Sequence, residues 1–121
     1  MAEDEVISIR VQDDDFDLEK EWQRLKAATK NIGAIVTFVG VVRELSNSGK
    51  LQHMELEHYP QMAENAVEEI CKTALGRFAV DKIHVVHRVG FLYPTDNIVF
   101  VGIVSAHRKD ALEACAFVMD F

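Results

Sequence analysis

Three residues able to carry charge, His107-Arg108-Lys109, stand where a long apolar run gives way to helical spacing. Ile98 to Val104 is nearly all β-branched or aromatic, the pattern of a strand buried on both faces. After Ser105-Ala106 the helical spacing begins. From Lys109 to Phe121, Leu112, Cys115 and Met119 form one stripe, which Ala111, Ala114 and Val118 widen. A strand end that becomes a helix start turns backbone N–H groups toward an anion. Arg108 adds a planar bidentate donor, and His107 adds a group that can donate or move a proton. The bland reading of the triplet is two solvated cations beside a turn histidine, and position alone does not separate the two readings.

Arg43 has a similar setting. Ala34 to Val42 is a second apolar run, too rich in β-branched residues for a helix, and it reads as a central strand. Gly40 interrupts it, the mark of a bulge or a close backbone approach. If this strand runs parallel to the one ending at Val104, Arg43, His107 and Arg108 gather at one edge of the sheet. Such a cluster in an acidic chain is a pocket for an anionic substrate, with arginines as clamps and a histidine to move a proton.

Other constellations are weaker. His84 and His87 lie three apart on a strand, so they face opposite sides and cannot share an ion. His53, Glu55 and Glu57 share a face and could meet a hard or borderline cation, but the wet face of a hairpin explains them as well. Ser48-Gly49-Lys50 is not a phosphate loop: Glu44 stands where the pattern needs its first glycine, and Leu51 where it needs Ser or Thr. Cys71 and Cys115 each sit mid-stripe on a helix with no cation nearby, so they read as buried core thiols, neither nucleophiles nor a disulfide framework. No metal site and no cofactor is expected.

The elements that must position these residues follow in order. Ile7, Ile9 and Val11 alternate with Ser8 and Arg10 as a half-buried strand. Leu18, Trp22 and Leu25 form one face of a helix to about Thr29, capped by Asp15 or Asp17. The Ala34–Val42 strand, a polar loop and a strand from Leu51 to Glu57 read as an antiparallel hairpin. A helix starts at Tyr59-Pro60, lays Met62, Ala66, Val67, Ile70, Cys71 and Ala74 along one side, and stops at Gly76. A strand from Lys82 to Val89 connects through Gly90 to Asp96 into the Ile98–Val104 strand, a second hairpin. The order β-α-β-β-α-β-β-α predicts an α+β fold, one domain over residues 1–121 with residues 1–4 frayed, a mainly antiparallel sheet and helices packed on it.

Composition narrows the class. A net charge of −7 over 121 residues argues against general binding to nucleic acid or an anionic membrane. No stretch approaches the roughly 20 apolar residues of a membrane span, and the acidic start is no signal peptide, so a cytoplasmic protein is expected.

Five segments taken together resemble one family. Gly33-Ala-Ile-Val-Thr-Phe-Val-Gly-Val-Val-Arg43, Leu56-Glu-His-Tyr-Pro60, His87-Arg-Val-Gly90, Ile98-Val-Phe-Val-Gly-Ile-Val-Ser-Ala-His-Arg108, and Glu113-Ala114 with Phe117-Val-Met-Asp-Phe121 are similar to the large, catalytic subunit of molybdopterin synthase. The similarity spans about Gly33 to Phe121; residues 1–32 match only loosely. It implies a sulfur transfer in molybdenum cofactor biosynthesis. A cyclic pyranopterin monophosphate receives two sulfurs from the C-terminal glycine thiocarboxylate of a small ubiquitin-like partner and becomes molybdopterin. It also implies a homodimer of large subunits with a small subunit at each end. By motif, Val41, Val42, Arg43, His107 and Arg108 would line the substrate pocket, with Arg43 and His107 the catalytic candidates.

One departure accompanies the resemblance. The family pattern continues past the position of Phe121 into a segment with two lysines given catalytic roles, for which residues 1–121 hold no counterpart. Lys109 does not replace them, since it opens the helix rather than following it. The expectation is a truncated chain, or one with a further tail, that folds but is inactive alone. The alternative is an inactive α+β dimeric module that binds a small anion or a partner's tail.

Overall fold

The computed structural model describes residues 6–44, 54–56 and 60–120. Among these residues six strands and three helices follow in the order β1 (Ile7–Gln12), α1 (Leu18–Lys26), β2 (Ala34–Val41), β3 (Met54–Leu56), α2 (Pro60–Arg77), β4 (Lys82–Arg88), β5 (Gly90–Leu92), β6 (Asn97–Ser105) and α3 (Arg108–Met119). Four strands form a mixed sheet in the order β1-β4-β6-β2, in which only the β1–β4 pair is parallel. The α+β class and the mainly antiparallel sheet are as expected from the sequence.

β6 is the inner strand the apolar run predicts, with Phe100 to Ser105 all buried. α2 and α3 cover one face of the sheet, where Cys71 and Ala74 meet Ile83, Val85, Val101, Ile103 and the α3 residues Ala111, Ala114, Cys115 and Val118. α1 covers the other face, with Phe16 and Leu25 against Val86, Phe100 and Val104. Both cysteines are buried and unpaired. Burial pushes the Cys71 thiol up to about 11, aided by the Glu68 charge, and pushes Cys115 up as well, so neither is a ready nucleophile.

Several expectations require correction. Among the described residues β2 is an edge strand rather than a central one, and Phe38 and Val41 are exposed on it. β2 and β3 do not pair as a hairpin among the described residues: β3 pairs with β5, a short strand inside what reads as a plain connection after Gly90. Gly76 does not stop α2, because it lies on the open side of the last turn and Phe78 N–H still reaches Ala74 O at 2.9 Å. In α3 the buried stripe runs through Ala111, Ala114, Cys115 and Val118, and Leu112 points to solvent. Met62 and Ala66 are likewise exposed.

α1 departs in the same way. Asp17 caps it as expected, its Oδ1 accepting from the N–H groups of Glu19 and Lys20 at 3.0 and 3.2 Å. Leu18 and Trp22, however, face outward, and the buried positions are Leu25 and Glu21. Glu21 Oε2 accepts from Arg10 at 2.6 Å, and its Oε1 accepts from His84 Nε2 at 2.6 Å and from Arg24 at 3.2 Å. The Ser8 hydroxyl bonds the other imidazole nitrogen, Nδ1. The polar side of β1, which alternation alone would leave wet, is therefore closed by a charged network under α1.

Candidate functional site

Gly33 fixes where β6 hands over to α3. Its N–H donates to Ser105 O at 3.0 Å, and a Cβ at this position would overlap the Ala106 carbonyl oxygen. Only glycine lets the start of β2 lie this close to the strand end. Ser105, itself buried, donates its hydroxyl to Ala79 O at 2.8 Å and accepts the His107 N–H at 3.2 Å. His107 thus leaves the sheet through a segment braced on both sides.

His107 holds the N-cap position of α3 in extended conformation, φ −130° and ψ 140°, yet its side chain makes no capping hydrogen bond. The imidazole is turned out with Arg108 and Lys109, and all three are exposed. Asp110 is the acid of the first turn, and its Oδ1 accepts Ala79 N–H at 3.4 Å. The start of this 12-residue helix, with adjacent imidazole and guanidinium groups, has the chemistry to receive an anion.

Arg43 lies elsewhere. β2 and β6 are antiparallel, with Ala34 opposite Ser105 and Val41 opposite Asn97. The parallel arrangement that would have joined Arg43 to His107 and Arg108 does not occur. Seven residue steps separate the two ends of the pair, roughly 24 Å along the strand, more than two facing side chains can span. The register slips between Gly40 and Val41, the bulge that Gly40 foretells. Val42 then leaves the ladder: its N–H donates to Asp96 O and its carbonyl accepts Thr95 N–H, both at 2.9 Å. Val42 is buried, whereas Val41 and Arg43 are exposed, so the latter two have side chains open to a ligand.

His84 and His87 do face opposite sides. His87 Nδ1 donates to Arg88 O at 2.8 Å, and its ring lines a cavity of about 150 Å³ between the sheet, α2 and α3 with Val67, Ile70, Val99 and Met119. Those apolar walls suit no phosphate. Of the hairpin candidates, His53 and Glu57 lie outside the described residues, as does the Glu55 side chain; among the described residues no group of three or more His, Cys, Asp or Glu could hold a metal ion.

Ser8, His84 and Glu21 spell out a serine–histidine–carboxylate line that sequence reading missed, since 76 residues separate Ser8 from His84. All three are buried beneath α1, at 7%, 3% and 3% exposure, so no substrate reaches the hydroxyl. Burial alone would raise the Glu21 carboxyl, but the hydrogen bonds from His84 and Arg10 and the Arg10 charge outweigh it and hold the acid below its usual range. Burial drives His84 the other way, down from its usual value, against the pull of Glu21, and Arg10 and Lys82 add to the fall. An ionised Glu21 accepts only, so Nε2 carries the hydrogen and the Ser8 hydroxyl donates to Nδ1. The line is structural.

What fold and site define together is an α+β domain carrying an exposed His-Arg pair where the inner strand β6 passes into a helix. The chain belongs to the MoaE protein family, which it matches over residues 11–121. It is 45% identical over 114 residues to a molybdopterin synthase catalytic subunit from Ralstonia nicotianae, covering 94% of this chain and 65% of the relative. It is 44% identical over 115 residues to the protein of the same name from Rhizobium meliloti, covering 95% and 73%. The chain thus spans about two thirds to three quarters of these relatives' length. The solved structure of molybdopterin cofactor biosynthesis protein E from Burkholderia multivorans superposes with a TM-score of 0.85 at 48% identity, covering 96% of this chain and 75% of that one. No helix among the described residues is long and apolar enough to cross a membrane.

Proposed function

We propose that this chain is the catalytic subunit of a cytoplasmic molybdopterin synthase. It takes sulfur from the C-terminal thiocarboxylate of a small ubiquitin-like partner and delivers it to cyclic pyranopterin monophosphate, twice, to give the dithiolene of molybdopterin. The observation that carries this reading is the family match along nearly the whole chain, to relatives whose shared name, catalytic subunit, itself speaks of a further subunit.

The site chemistry agrees. Arg108 and the first N–H groups of α3 neutralise the substrate phosphate. The thiocarboxylate sulfur bonds to a substrate carbon, and His107 moves a proton as water attacks the resulting thioester carbonyl. This leaves the sulfur on the substrate and the partner's tail as a carboxylate. Arg43 is a second clamp, with Val41 beside it and Val42 holding the backbone. Because Arg43 and His107 lie at opposite ends of an antiparallel pair, a pocket containing both draws them from two copies of the chain. The assembly is accordingly a homodimer.

Two measurements test this. Single-turnover sulfur transfer is followed from a thiocarboxylated partner, using residues 1–121 and a chain extended by a family-like lysine-containing segment. Transfer by the extended chain, lost with His107→Ala, is expected; absence of both substrate binding and transfer in both chains would sink the reading. Light scattering at micromolar concentration should give the mass of a dimer, and a monomer would remove the shared pocket.

A further inference from the structure

Arg43 stands just past the point where β2 loses its register with β6, so the sheet does not hold it. What holds Val42, the residue before it, is the turn Tyr93–Asp96. Asp96 closes that turn twice: its Oδ2 accepts Tyr93 N–H at 2.8 Å and its own N–H donates to Tyr93 O at 2.9 Å. Thr95 has φ +76°, the one non-glycine residue with positive φ among the described residues. A β-branched residue enters that region only where its surroundings enforce it. The forced conformation aims Thr95 N–H and Asp96 C=O at one neighbour. Both grip Val42, the residue before Arg43, through its carbonyl and its N–H at 2.9 Å each.

We propose that Asp96, through the Tyr93–Asp96 turn, is a positioning residue for Arg43: it sets the backbone from which the guanidinium reaches the substrate phosphate. The inference rests on the function proposed above and extends it to residues that touch no substrate. Holding Val42 by both polar groups fixes the direction in which Arg43 leaves the sheet. A flexible arginine then needs less ordering when the anion arrives.

The test is binding of cyclic pyranopterin monophosphate, measured by calorimetry, with single and double variants. Asp96→Ala is expected to weaken binding roughly threefold to tenfold, the scale of ordering one long side chain. Asp96→Asn should restore it, since an amide oxygen accepts the same Tyr93 N–H. Adding Asp96→Ala to Arg43→Ala should weaken binding no further, because Asp96 acts through Arg43; a general loss of stability would add to it. Asp96→Ser, with a shorter acceptor, covers the case in which Asp96→Ala does not fold, and should fall between wild type and Arg43→Ala. If Arg43→Ala weakens binding and the Asp96 variants leave it unchanged, or if the two effects simply add, the inference is overturned while the function stands. If Arg43→Ala itself has no effect, the clamp role and the inference fall together.

Discussion

His84 Nε2 donates to Glu21 Oε1 at 2.6 Å, and each side chain is only 3% exposed. This contact joins α1 to the sheet where an apolar stripe would ordinarily do so. Glu21 is also gripped by Arg10 and Arg24, so the carboxylate is multiply satisfied and its burial is tolerable. Removing it would leave a histidine and two arginines without their acceptor.

The pair makes stability sensitive to mild acid. His84 is held below its ordinary value of 6.5, so the unfolded chain takes up a proton first as pH falls. Its contribution is whole above pH 6.5 and is lost as pH drops from there toward the depressed folded value. Glu21 is also lowered, from 4.5, so its contribution is whole above pH 4.5 and is lost as pH drops toward its own folded value. Thermal melts should begin to shift downward below pH 6.5. His84→Gln, which keeps a donor toward Glu21, should flatten the curve just below pH 6.5; an unchanged curve would show that His84 is not the group responsible.

Glu21→Ala is expected to cost about 3 kcal/mol in denaturant unfolding, because a buried partner is removed from His84 and two arginines. A loss under about 0.5 kcal/mol, the scale of a surface change, would mean that water replaces the carboxylate freely.

Two glycines offer a contrast. Gly33→Ala pushes a Cβ into the backbone carbonyl of Ala106, which cannot yield without moving His107, whereas Gly102→Ala meets only the end of the Leu25 side chain. Gly33→Ala should therefore cost about 1–3 kcal/mol and weaken substrate binding with it. Gly102→Ala should lower stability without a matching loss of affinity. Equal effects on binding would dissociate Gly33 from the site.

Arg43→Ala should weaken binding of cyclic pyranopterin monophosphate by about 1.5–3 kcal/mol, the scale of a charge-assisted hydrogen bond. Titration calorimetry decides it, and raised salt should shrink the difference only in part.

Much of this was legible in the residues, and the failures share a cause. The Ile98–Val104 run had to be an inner strand, and the helix after His107 had to follow, because β-branched and helical periods are local properties. Which side of a helix is buried is not local. Leu18, Trp22 and Leu112 match an apolar stripe, yet the sheet receives Glu21 and small residues, Ala111 and Ala114, that let α3 lie close. Strand direction was equally out of reach. Nothing in Ala34–Val42 says whether its neighbour runs with it or against it, and pairing of Met54–Leu56 with Gly90–Leu92 depends on segments far apart in the chain.

The opposed directions of β2 and β6 have a genetic consequence. If each pocket borrows Arg43 from one copy and His107 from the other, two different inactive variants can rescue one another. Arg43→Ala and His107→Ala chains, mixed in equal amounts and allowed to re-pair, form mixed dimers in which one pocket has both lesions and the other has none. Random pairing restores about a quarter of the pockets. Recovery near that level marks a shared site, and none at all means that each copy works alone.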